Sequence, residues 1–183
     1  MSSFLPSGWA WASVGETGQY INGFAFKPSH WGARGKPIIR IQNLTDDGKP
    51  LNRTELDAPA AVHVAPGEML VSWSATLDVF IWRREPALLN QHIFRVIPDT
   101  EVVEPRWLFH ALRLAIQQLS DSAHLHGSTM AHINRGPFLA HRLPMPPRGE
   151  QVRIADQLDE VLSDLDSAAT ELRHAQKKLT QCR

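Results

Sequence analysis

The sequence predicts a mixed-sheet α+β domain followed by a long C-terminal coiled-coil helix. Three observations carry that prediction. Several short β-rich segments alternate with turn residues, one helical face follows Pro105, and a heptad pattern fills residues 150–183.

Taken in order, Pro37-Ile38-Ile39-Arg40-Ile41 has the composition of a strand, closed by the turn residues Asp46, Asp47 and Gly48. Val62-His63-Val64 and Met69-Leu70-Val71-Ser72-Trp73 flank the turn pair Pro66-Gly67. Val79–Trp82 and His92–Ile97 are further strand candidates. Pro105 suits the first turn of a helix, whose apolar face is Leu108, Leu112, Ala115, Ile116 and Leu119, ending before Gly127. Pro144, Pro146 and Pro147 make a rigid, non-helical connector, because proline lacks an amide donor and biases its predecessor to extended geometry. No proline follows. The boundary therefore falls between residues 1–149 and 150–183. Charge divides at the same place: fourteen Lys/Arg against twelve Asp/Glu before it, five against seven after.

In the tail, Ile154, Leu158, Val161, Leu165, Ala168, Leu172, Ala175 and Leu179 recur at alternating spacings of 4 and 3. That is a heptad seam, with acids early (Asp156, Asp159, Glu160, Asp164, Asp166) and bases late (Arg173, Lys177, Lys178), as the helix dipole favours. A seam this narrow needs a partner helix. The alternative is an amphipathic helix packed back on its own domain.

Composition excludes several classes. At 43% hydrophobic and 21% charged, the 183 residues are neither disordered nor fibrous, and no apolar run approaches membrane-spanning length. The N-terminus has no basic start followed by an apolar core, and the lone Cys182 cannot form an internal disulfide, so a reducing cytoplasm is expected. Nineteen basic and nineteen acidic residues cancel, which argues against binding nucleic acid by bulk charge but not against local reading. Catalytic motifs are missing: no phosphate-cradling G-x-x-x-x-G-K-[ST] loop, no glycine-rich methyl-donor turn, and no Asn or Asp ahead of Pro146-Pro147. His124, His126 and His132 lack a carboxylate or cysteine companion, and no metal site is expected. Ser128 near His132, or Ser74 near His92, would make a serine hydrolase, but neither serine lies in a G-x-S-x-G elbow.

An ordered series of segments runs through nearly the whole chain: Leu5-Pro6-Ser7-Gly8-Trp9 with Val14-Gly15-Glu16; Ile38–Leu44; Pro66–Leu77; Asn90–Val96; Gly127-Ser128-Thr129 with His132-Ile133; Leu143–Pro147; and Glu150–Ile154. Taken together, they resemble the specificity subunit of Type I restriction–modification enzymes. The resemblance implies one target recognition domain (1–149) and one conserved spacer helix (150–183). It implies sequence-specific, non-catalytic recognition of double-stranded DNA at a bipartite site. Methylation and cleavage then belong to partner methyltransferase and restriction/translocase subunits, with S-adenosylmethionine, ATP and Mg used there and no cofactor in this chain. Family members usually carry two such units, their helices paired antiparallel. The helical pattern runs into Gln181-Cys182-Arg183 without a glycine stop, so a fragment of a longer subunit or a half-subunit pairing with itself is expected.

On that footing, Lys27, Arg34, Lys36 and Arg40, interleaved with Ser29, His30 and Trp31, are candidate phosphate contacts; the plainer alternative is a solvated loop. Ser72, Ser74 and Thr76 alternate and would share one strand face toward phosphates, or form a polar outer face. Ser128, Thr129, His132, Asn134 and Arg135 offer donors and acceptors between Gly127 and Gly136. Arg135, Asn134, Asn43 and Gln42 are base-reading candidates, since Arg matches guanine and Asn or Gln matches adenine. Gln91 and His92 are expected to hold the sheet, and Trp9, Trp73 and Trp107 the core. Ile154, Leu158, Val161, Leu165, Leu172 and Leu179 are the pairing positions. A coiled-coil adaptor that never touches DNA is the competing function.

Overall fold

The computed structural model describes residues 4–125 and 133–181. In chain order its elements are β1 (Ala10–Ser13), β2 (Gly18–Asn22), β3 (Lys36–Ile39), α1 (Ile41–Thr45), β4 (Asn52–Thr54), β5 (His63–Val64), β6 (Met69–Ser72), β7 (Asp78–Ile81), β8 (Ala87–Leu89), β9 (Ile93–Pro98), α2 (Pro105–Leu125), α3 (Arg135–Ala140), β10 (Arg142–Met145) and α4 (Arg148–Gln181). The fold is α+β with mixed sheets, as the sequence predicts.

Side-chain alternation along the strands sets the layers. The antiparallel sheet β2-β9-β6-β7 sends Met69, Val71, Phe94 and Val96 to one side, where they pack on Trp107, Leu108, Leu112 and Ala115 of α2 and on Phe138 of α3. Leu70 and Ile93 point the other way, onto Ile38, Ile39, Leu88 and Leu89 of the second sheet, β4-β3-β8-β5. Helices, first sheet and second sheet are thus three layers enclosing two cores. In the second sheet β3 and β8 run parallel. Gly67, at φ +93°, turns the chain after Pro66 as expected, but β5 and β6 leave that turn for different sheets.

The strand predicted over 37–41 ends at Ile39. The Arg40 amide donates to Asn43 Oδ1 (3.1 Å) and the Asn43 amide donates back to the Arg40 carbonyl (2.8 Å), so the chain turns into α1 instead of extending. The proline connector is extended but is itself a strand. β10 pairs antiparallel with β1 as a two-stranded ribbon, where Pro144 needs no amide donor.

That ribbon delivers the chain to α4, a 34-residue helix with its root docked on the domain. Gln151 is buried: its Oε1 accepts from the Glu104 amide (2.8 Å) and its Nε2 donates to the Pro146 carbonyl (2.9 Å). Trp9 Nε1 donates to Glu150 Oε2 (3.0 Å), and Ala155 lies fully inside the helix-side core. Ile154, placed in the pairing seam by its spacing, instead packs against that same core. The free seam therefore begins at Leu158.

Candidate nucleic-acid interface

Strand direction brings distant polar segments to one end of the molecule. β3, β6 and β8 finish there, and β9 starts there. A chain of backbone hydrogen bonds links their ends: Asn90 N to Ile39 O (3.1 Å), Gln91 N to Phe24 O (2.9 Å), Trp73 N to His92 O (3.2 Å), and Ile133 N to Trp73 O (3.0 Å). Arg40 and Gln42 follow Ile39, Ser74 and Thr76 follow Trp73, and Asn134 and Arg135 follow Ile133. Segments spread over a hundred residues of sequence thus meet along one edge. Gln42, Thr76, Asn134 and Arg135 are exposed on it, and Asn134 makes no side-chain cap to α3.

The edge has two further marks. Ala75 and His92 both adopt left-handed backbone, at φ +60° and +71°, a conformation costly for residues with a Cβ. The His92 ring stacks edge-on against Trp73, centroids 4.8 Å apart, while its Nδ1 and the nearby Asn90 Oδ1 are enclosed without hydrogen-bond partners among the described residues.

Two candidates on this edge are corrected. Asn43 is only 1% exposed, and its Nδ2 donates to the carbonyls of Lys49 (3.2 Å) and Pro50 (3.1 Å). With Oδ1 also engaged by Arg40, it holds the 40–50 loop and has nothing left for a base. Ser72 is fully buried, donating to the Ser74 carbonyl (3.2 Å) as β6 ends and turns toward β7. The three hydroxyls of Ser72, Ser74 and Thr76 therefore do not share a strand face, because the strand they needed stops at the first.

The basic loop divides. The Arg40 guanidinium lies over the half-buried Trp31 ring, 4.8 Å from its centroid. Arg34 and Lys36 sit at the opposite end of β3, about 10 Å away at ~3.3 Å per residue. There Gly35, at φ +91°, presses so close to the Thr54 carbonyl that no Cβ would fit. Arg34 lines an open groove of about 550 Å³ with His30, Trp31 and Glu55. Lys27 is exposed beside it, its amide donating to His30 Nδ1 (3.2 Å). Ser128, Thr129 and His132 lie outside the described residues.

Residues 6–179 match the family described as Type I restriction modification DNA specificity domain. The chain belongs to that family. Over 181 residues, 98% of the chain, it is 29% identical to the Type I restriction enzyme EcoBI specificity subunit of Escherichia coli, covering 38% of that protein. Its fold superposes on the HsdS subunit from Thermoanaerobacter tengcongensis with a TM-score of 0.67 at 22% identity, over 90% of this chain and 40% of that one. A chain from a structure addressing complex assembly and conformational transition of the type I R-M system gives 0.67 at 24%, over 97% and 45%. The chain thus spans about two fifths of the length of the relatives it matches.

Beyond its docked root, α4 of this specificity domain exposes a stripe of Leu158, Val161, Leu162, Leu165 and Leu172, the last two at 60% and 65%. Leu162 lies outside the heptad positions and widens the stripe. The Leu179 side chain lies outside the described ones. Sequence reasoning gave Gln151 no role and placed His92 in sheet support. A buried glutamine in a helix's first turn, or a left-handed histidine, leaves no periodic signal that could have marked it.

Proposed function

We propose that this chain is one DNA-reading half of a Type I specificity subunit, itself non-catalytic, acting in the cytoplasm. The observation that carries the proposal is the set of backbone-linked strand ends whose segments carry Arg40, Gln42, Thr76, Asn134 and Arg135. Guanidinium, amide and hydroxyl groups there suit both phosphate contact and base-edge reading. Left-handed backbone at Ala75 and His92, in the connections β6–β7 and β8–β9, fixes the direction in which the edge segments leave their strands. The α4 stripe pairs antiparallel with a second such helix, from a second unit or a second copy, because its acidic root (Asp159, Glu160, Asp164) then faces a basic tip (Arg173, Lys178). Partner methyltransferase and restriction subunits supply the chemistry, using S-adenosylmethionine, ATP and Mg. They also add phosphate contacts to the few that a chain of zero net charge can make.

The test is methylation mapping with complexes reconstituted from this chain and methyltransferase subunits. A bipartite target with an unread gap is expected. In the same complex Arg135→Ala should either relax one target position, if it reads a base, or weaken all targets and lower the salt slope by about 1, if it holds a phosphate. Zero net charge also favours a coiled-coil adaptor that never meets DNA. That reading wins if the complex assembles but methylation depends on no edge residue.

A further inference from the structure

We propose that an ionic clasp between α2 and α4 aims the stalk, and so sets which gap between DNA half-sites the complex accepts. The inference rests on the function proposed above. α4 is fixed to the domain at two levels. At its first turn, Gln151 and Glu150 tie it to Glu104 and Trp9. At its third, Arg106 of α2 donates through Nη1 to Asp156 Oδ1 (2.8 Å) and Asp159 Oδ2 (3.1 Å), while His110 Nε2 lies 3.3 Å from Asp159 Oδ1. Glu104 completes the set, 3.5 Å from Arg106 and 3.1 Å from Arg148 at the helix start. Between the two levels Ala155 is fully buried and Ile154 packs partly against the same core, so the apolar seat lies close to the root and the clasp is the outer of the two polar anchors.

Two fixed points define the direction of a rod. Gln151 and Asp159 are about 12 Å apart along the helix, whereas Gln151 to Gln181 is about 45 Å at ~1.5 Å per residue. A sideways shift of about 1 Å at Asp159 therefore moves the far end by about 4 Å, close to the ~3.4 Å rise of one base pair. The lever turns a small change in the clasp into a whole step on DNA. Arg106, Asp156 and Asp159 are exposed, so their loss does not open a core. They act as positioning residues.

The test has two arms. Spin labels go at Glu55→Cys and Glu171→Cys in a Cys182→Ser chain, diluted with an excess of unlabelled chain so that only within-chain distances are read. Arg106→Ala should broaden the distance distribution, and Arg106→Lys should restore part of it. In the second arm, complexes with methyltransferase subunits are given duplexes whose gap is the preferred length or one base pair more or less. Arg106→Ala should reduce the preference for the correct gap by about threefold to tenfold, as loss of several exposed pairs implies, with affinity for a single half-site unchanged. Unchanged label distances overturn the clasp. Broadened distances with an unchanged gap preference overturn its role in spacing. A parent complex with no sequence preference at any gap overturns the proposed function and the spacing role with it, while the label arm still decides whether the clasp aims the stalk.

Discussion

Replacing the buried Asn43 by alanine removes three hydrogen bonds and leaves the Lys49 and Pro50 carbonyls without that donor. The expected cost is about 3 kcal/mol, read from the urea midpoint. Gln42→Ala, one position earlier and exposed, should change stability by less than about 0.5 kcal/mol. On the proposed function, its effect belongs in target choice and is read by methylation mapping. His141 gives a pH signature. Partial burial depresses its pKa below the ordinary histidine value of 6.5, and its Nε2 lies 3.0 Å from Gln118 Oε1. Because the folded pKa is the lower one, the unfolded chain binds the extra proton first. This contribution is present above about 6.5 and is lost as pH falls through the unfolded and then the folded value. His141→Gln should therefore lose less stability than the parent between about pH 7.5 and 5, measured by urea midpoints across that range.

Elements differ in how plainly the sequence announces them. α2 and α4 are long enough for periodicity to speak, and the predicted helix after Pro105 and the tail both form. The centres of β3, β6, β7 and β9 were legible from β-branched and aromatic runs. β8 and β10 were not: Ala87–Leu89 is three buried residues with no alternation to detect, and β10 contains proline. Their existence depends on partners that local pattern does not name: β8 lies between β3 and β5, and β10 pairs with β1 from the far end of the domain. The same limit governs the site. Residue chemistry named Arg40, Gln42, Thr76, Asn134 and Arg135, but only the end of β6 and the start of α1 decide that Ser72 and Asn43 face inward. For α4, Leu165→Glu places a charge in the middle of the exposed stripe and should abolish self-association. Sedimentation velocity compares the two chains; identical monomers would refute pairing through the stripe.

At the scale of the whole molecule, the proposed function makes the stalk a ruler whose zero is set by its docked root. The 34 residues of α4 extend about 51 Å. Deleting residues 166–172 removes one heptad beyond the root, keeps the stripe in register, and shortens the stalk by ~10 Å, or about three base pairs. Methylation maps of intact and shortened complexes should show a correspondingly narrower gap; turning of one domain around the duplex will reduce activity as well. An unchanged gap in an active, shortened complex would mean that something other than α4 measures the site.

The β1–β10 ribbon has a consequence for how the chain is made. Ser13 pairs with Arg142, so the first strand waits for almost the whole domain to be synthesised before it finds its partner. Contacts this distant in sequence form late and slowly. The strand that releases β1 from waiting is followed at once by α4. At synthesis rates of ~5–20 residues per second, the ribosome needs about 2–7 s to produce those 34 residues. The exit tunnel encloses the most recently made few tens of residues, so β10 emerges and the domain can close while most of the sticky stripe is still covered. Neighbouring nascent chains on one messenger therefore meet as finished domains before their stalks can zip together. Moving α4 to the front of the chain would remove that delay, and aggregation during translation is the expected result.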